Sequence, residues 1–147
     1  GLKITDGRAL PDFARNVLAD ADIVLYSDGA PTRTFCYVAD AVVGYMKILL
    51  RGRDGQSYNI GTDDDEISIL GLAELVAETA TDLFGYTGAV LFEKSADADY
   101  LVDNPNRRCP LIDKARSELG YAPGIDLRDG IRRSLIWYSG NQEAEAA

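Results

Sequence analysis

Apolar residues recur along this chain at two different spacings, and the alternation between them is the first structural signal. In LPDFARNVLADAD, Leu10, Phe13, Val17 and Leu18 fall at helical spacing, and Pro11 is tolerated in a first turn. IVLY at 23–26 predicts a short strand that ends at the Asp28-Gly29 turn. VADAVVGYMKILL predicts a helix that is apolar on nearly every side, Asp40 and Lys47 excepted. A helix of that kind expects cover on more than one face. QSYNIG predicts another short strand, closed by Gly61. SILGLAELVAETATDLF then predicts an amphipathic helix that Ser68 can cap. AVLFEK predicts a strand, and LIDKARSELG a helix with Gly120 at its carboxyl end. The last helix starts near Asp126 and repeats apolar residues at Leu127, Ile131, Leu135 and Tyr138. Strands alternating with helices predict an α/β architecture.

Length and charge narrow the class. The 147 residues suffice for one domain with a core, taken here as residues 1–140, with 141–147 as a disordered tail. A net charge of −9 with no basic stripe argues against a nucleic-acid partner. No apolar run reaches the length of a membrane span and no signal-peptide pattern opens the chain, so no membrane partner and a cytoplasmic location are expected. The first residue is glycine, which leaves open whether this is a whole chain, a cleavage product or a piece of a longer one.

Candidate chemistry is limited by what the residues exclude. Histidine is absent, which removes triads, most zinc sites and the commonest general base. Cys36 and Cys109 form one conceivable pair; in a chain this long, reduced thiols are the expectation. The DDDE run at 63–66 lacks the ligand spacing and mid-loop glycine of a calcium loop. Carboxylates just before a helix are favoured by its dipole, and that structural role is expected of them. Neither G-x-G-x-x-G nor G-x-x-G-x-x-G occurs, and none of the eight tyrosines has a lysine four residues later. No catalytic, cofactor-binding or metal-ligating residue is therefore expected in the chain.

The arginines remain. In SDGAPTRTF, Arg33 stands between a tight turn and an apolar helix, where a guanidinium stabilises a carboxylate or a phosphate. In DNPNRRCPLID, Arg107 and Arg108 lie between two prolines, in what reads as a loop before a helix. Asn59, near Gly61, reads on spacing alone as a turn residue.

The segments ITDGRALPDFARNVLADADIVLYSDGAPTRTFCYVADAVVGYMKILL, YNIGTDDDEISILGLAELVAE and DNPNRRCPLIDKARSELGYAPGIDLRDGIRRSL together cover nearly the whole chain. In this order they resemble the carboxyl-terminal portion of extended short-chain dehydrogenases, the NAD-dependent nucleotide-sugar epimerases, dehydratases and decarboxylases. Within that family, DGR before LPDF is most similar to UDP-glucuronate decarboxylases, followed by dTDP-glucose 4,6-dehydratases and UDP-sugar 4-epimerases. The resemblance implies the substrate-binding part of the fold, mixed helices and short strands without most of the Rossmann domain. It implies that Arg33 binds the diphosphate of a UDP- or dTDP-sugar, that Arg108 is a second diphosphate or ribose contact, that Tyr26 sits at the base and that Asn59 lies by the phosphates. Arg8, in DGR, would border the sugar and select a glucuronate carboxylate; the plainer reading, a solvated arginine paired with Asp6 or Asp12, is the stronger one.

Two departures stand out. The family turn is usually G-D-G where this chain has Ser27-Asp28-Gly29, and Leu111 stands where the family usually has Asp. The glycine-rich NAD turn, the Ser/Thr and the Tyr-x-x-x-Lys pair lie upstream in the family. The resemblance thus implies NAD bound by an amino-terminal domain that this chain lacks, a homodimer at full length, and no turnover by these residues alone. A free-standing sugar-nucleotide module without chemistry, and a silent remnant acting as an interaction surface, are the alternatives from other classes.

Overall fold

The computed structural model describes residues 3–94 and 105–141. Five helices and five very short strands follow in the order α1 (Ala9–Leu18), β1 (Ile23–Leu25), β2 (Thr32–Arg33), α2 (Val38–Arg51), β3 (Ile67–Ser68), α3 (Ile69–Phe84), β4 (Val90–Phe92), β5 (Arg107–Arg108), α4 (Asp113–Leu119) and α5 (Leu127–Gly140). This is the mixed α/β architecture expected, with all five predicted helices in place. Of the tail expected at 141–147, all but Asn141 lies outside the described residues.

The main core lies where α1, α3 and α5 pack beside the parallel pair β1–β4. Phe13 and Val17 bury the α1 stripe, Ile23 and Leu25 the inward face of β1, Leu72 and Val76 that of α3, and Ile131 and Leu135 that of α5. Each such side chain removed from water stabilises the fold by roughly 1.5–3 kcal/mol. A second, smaller cluster gathers Ile112, Ala115, Leu119 and Tyr121 around α4, with Ile48 of α2 and Tyr58 and Ile60 packed on it. Tyr121 donates to the Gly61 carbonyl at 2.9 Å, and Cys36 Sγ lies 3.5 Å from the same hydroxyl. Burial, and then the Cys36 thiol, raise the Tyr121 pKa. Both Cys36 and Cys109 are free thiols.

Capping explains where the helices start and stop. The Ser68 hydroxyl accepts from the Gly71 amide at 3.0 Å, and Gly120 ends α4 in the left-handed region at φ 62°. Asp126 accepts from the Asp129 amide at 2.8 Å, satisfying one orphan donor of α5. Asp126→Ala should therefore lower the unfolding free energy by about 1 kcal/mol, while Asp126→Asn, which keeps the acceptor, should cost less. Urea denaturation of the three proteins checks this.

Two expectations are corrected. QSYNIG forms no strand: it has no ladder partner among the described residues, and an isolated extended segment cannot satisfy its backbone by pairing. Arg107 and Arg108, expected in a loop, form β5. With β2 and β3 it makes a three-stranded sheet in the order β3-β2-β5.

Helix α2, expected to be covered on more than one face, is covered on one side only among the described residues. Gly44 is buried so close to Ile60 that an added Cβ would lie 2.7 Å from its Cγ2. Asp40 on the same side accepts from the Gly124 and Ile125 amides at 3.1 and 2.9 Å, and Lys47 donates to the Gly120 carbonyl. On the opposite side Val42, Val43, Met46, Leu49 and Leu50 are exposed, the two leucines at 77% and 79%.

Candidate anion site on a three-stranded sheet

The sheet β3-β2-β5 is built from strands of two residues each, so its position depends on what holds its ends. The Ser27-Asp28-Gly29 turn supplies one anchor. Ser27 Oγ accepts from the Gly29 amide at 3.2 Å, and Asp28 Oδ1 from the Ala30 amide at 2.9 Å. Gly29 has φ +70°, and a Cβ there would meet Leu70 Cβ at 2.8 Å, so glycine is needed both for the turn and for the close approach. The carbonyls of Gly29 and Pro31 then accept from the amides of Leu70 and Ile69, which pins the segment to the start of α3. The chain enters β2 from this fixed point, and Arg33 follows.

Register decides which arginines meet. In the β2–β5 pair, Thr32 stands opposite Arg107 and Arg33 opposite Arg108; in β2–β3, Thr32 stands opposite Ser68 and Arg33 opposite Ile67. Directly opposed residues share a face of a sheet and successive residues alternate. Arg33 and Arg108 therefore lie on one face, with Thr32 and Arg107 on the other.

The two faces differ in charge. Arg107 is neutralised: its Nε donates to Glu66 at 2.9 Å and its Nη2 at 2.8 Å, and the carboxylate also accepts from Thr32 Oγ1 at 2.5 Å. Those bonds hold Glu66 below the ordinary carboxylate pKa, Arg107 contributing most, and they raise that of Arg107. On the other face Arg33 donates to the Thr32 carbonyl at 2.7 Å, and its pKa is lowered, first by partial burial and then by the Arg108 charge beside it. Arg108 makes no ion pair with any described residue. Two guanidiniums sharing one face make this the candidate site for an anion.

The remaining expected residues are placed differently. Tyr26 is exposed just beyond β1. Asn59 donates from Nδ2 to the Leu111 carbonyl at 3.0 Å and so ties the segment after β5 to the one before Gly61. Arg8 pairs with Asp6, with Nη2–Oδ2 at 3.1 Å, as the plainer reading of that arginine has it. Arg8 also lines a cleft of about 640 Å³, together with Phe35, Tyr37, Asp126, Trp137 and Tyr138; neither Arg33 nor Arg108 is among its lining residues. The paired charges lie on the sheet, and we place the candidate site there.

The DDDE run lies just before α3, as expected, and makes further contacts. The first turn of α3 contains no acidic residue, and the carboxylates act at longer range. Asp63 pairs with Arg116 at 2.9 Å, Asp65 accepts from the Leu127 amide at 3.4 Å, and Glu66 binds β2 and β5. Glu66 is the residue that sequence reasoning missed. Its partners lie 34 and 41 positions away, and no local pattern marks such a contact.

No group of three or more potential metal ligands and no helix long and apolar enough to cross a membrane occurs among the described residues.

Comparison with known proteins shows what the chain is similar to. Residues 2–61 match the profile of the NAD dependent epimerase/dehydratase family. UDP-glucuronic acid decarboxylase 2 of Arabidopsis thaliana is 33% identical over 128 residues, covering 87% of this chain and 26% of the relative. dTDP-D-glucose 4,6-dehydratase of Bos taurus is 29% identical over 140 residues, covering 91% and 37%. Among solved structures, UDP-glucuronic acid 4-epimerase from Bacillus cereus, determined in complex with UDP-glucuronic acid and NAD, superposes with a TM-score of 0.73 at 25% identity, covering 92% of this chain and 40% of that one. The chain thus spans between a quarter and two fifths of the length of these relatives. With the family profile over residues 2–61 and such relatives aligned along nearly all of it, the chain carries an epimerase/dehydratase family domain.

Proposed function

We propose that this chain supplies the sugar-nucleotide contacts of an NAD-dependent nucleotide-sugar enzyme, and that the reaction is decarboxylation of UDP-glucuronate. The observation that carries the reading is the register pair Arg33 and Arg108. Two guanidiniums brought to one face suit a nucleoside diphosphate, whose phosphate groups carry the opposite charge. Tyr26, exposed beyond β1, offers a ring face to the base. Asn59 acts at the phosphates through the Leu111 carbonyl, by fixing the turn that follows Arg108. Arg8 is assigned to the neighbourhood of the sugar.

NAD supplies the hydride chemistry when bound. No dinucleotide turn occurs in this chain, so its own residues are assigned to substrate and the NAD-binding domain to residues outside it. The exposed side of α2 is the surface we assign to contact with that domain. A cytoplasmic homodimer is the assembly that accompanies this reading.

The decarboxylase relative at 33% identity favours UDP-glucuronate, and the dehydratase relative at 29% makes dTDP-glucose the second candidate. The full-length protein, supplied with NAD and each sugar nucleotide in turn, should release carbon dioxide from UDP-glucuronate. Turnover of dTDP-glucose alone would transfer the assignment to the dehydratases. Tight binding of either nucleotide without turnover would favour the non-catalytic module.

A further inference from the structure

We infer that Glu66 is a positioning residue for the Arg33 and Arg108 pair, acting as a single carboxylate clamp across all three strands of the sheet; the inference rests on the anion-site reading above. Glu66 immediately precedes β3, and its carboxylate accepts from Thr32 on β2 and from Arg107 on β5. Antiparallel register continues the Ser68–Thr32 and Ile67–Arg33 pairs to place Glu66 opposite Thr34, on the face that carries Thr32 and Arg107. The clamp therefore closes on the side of the sheet away from Arg33 and Arg108.

Two consequences follow from that placement. β2 and β5 are two residues each, so the ladder between them is short. Thr32 donates to the Asn106 carbonyl at 2.8 Å and Thr34 to the Arg108 carbonyl at 3.3 Å, flanking the register that sets Arg33 beside Arg108. A one-residue slip would exchange the faces and put Arg107 where Arg108 stands. The clamp also neutralises Arg107 in place, so this third guanidinium stays on the far face and does not add to the repulsion around Arg33. The two-point contact with the Arg107 fork makes the geometry directional, which a single point charge would not.

The test is UDP binding by the full-length protein, measured by calorimetry well below the unfolding midpoint. Glu66→Ala should weaken UDP binding by about tenfold, and Glu66→Gln, which keeps an acceptor for Thr32 but loses the charge on Arg107, by about threefold. The exchange Glu66→Arg with Arg107→Glu should recover most of the parent affinity, which a loss of general stability would not do. If Glu66→Ala does not fold, Glu66→Gln and the exchange carry the test. Parent-like UDP affinity in Glu66→Gln, or failure of the exchange to recover any binding, overturns the clamp. Arg33→Ala is measured alongside: parent-like affinity there would instead remove the anion-site reading on which the clamp depends.

Discussion

Arg33→Ala weakens UDP binding by the full-length protein about ten- to a hundredfold, and Arg108→Ala does the same: this is the expected result of calorimetric titration. Each guanidinium contributes a charge-assisted contact worth roughly 1.5–3 kcal/mol, and about 1.4 kcal/mol corresponds to tenfold in affinity. The two losses should not simply add. The arginines are opposed in register, and Arg108 helps lower the Arg33 pKa, so each removal also relieves repulsion in the free protein. The double variant should accordingly lose less than the product of the single effects. Arg33→Lys keeps the charge but not the planar fork, and its affinity should fall between parent and alanine. Parent-like affinity in both alanine variants would remove the diphosphate reading altogether.

Residues 1–147 prepared alone should self-associate. On α2, Val42, Val43, Met46, Leu49 and Leu50 stand in water on the side opposite Gly44, and each large apolar side chain left exposed forgoes roughly 1.5–3 kcal/mol of burial. A contiguous patch of this kind marks a contact surface. Light scattering should report species larger than one chain, and a hydrophobic dye should bind. Replacing Met46 and Leu49 together by glutamate should restore a monomer without lowering the thermal midpoint, because neither residue contributes to the core. A monomer that leaves the dye unbound, before any substitution, would overturn the prediction and favour a self-sufficient binding module.

The helices were legible because their signals are local. Phe13 and Val17, Leu72 and Val76, and Ile131 and Leu135 each repeat within one turn of their own helix, and Ser68, Asp126 and Gly120 lie at its ends. The one-sided cover of α2 was not legible: its periodicity predicts cover on more than one face, and among the described residues only one side is covered. As candidates, Arg33 was legible from its place between a turn and an apolar helix and Arg108 only through the family resemblance, as separate residues in separate loops. Their meeting was not, because a two-residue strand has no periodicity to read and its register depends on a partner far along the chain. QSYNIG shows the reverse case: its local pattern fits a strand, but among the described residues no partner strand pairs with it, so the pattern alone could not make one. Glu66 makes the same point for charge. A carboxylate before a helix carries a plausible local role, and nothing nearby in the chain reveals that folding brings Thr32 and Arg107 to it instead. Periodicity and capping are properties of neighbouring residues and survive in the linear chain. Register, ion pairing across strands and the side of a sheet on which a charge stands exist only once distant segments have packed.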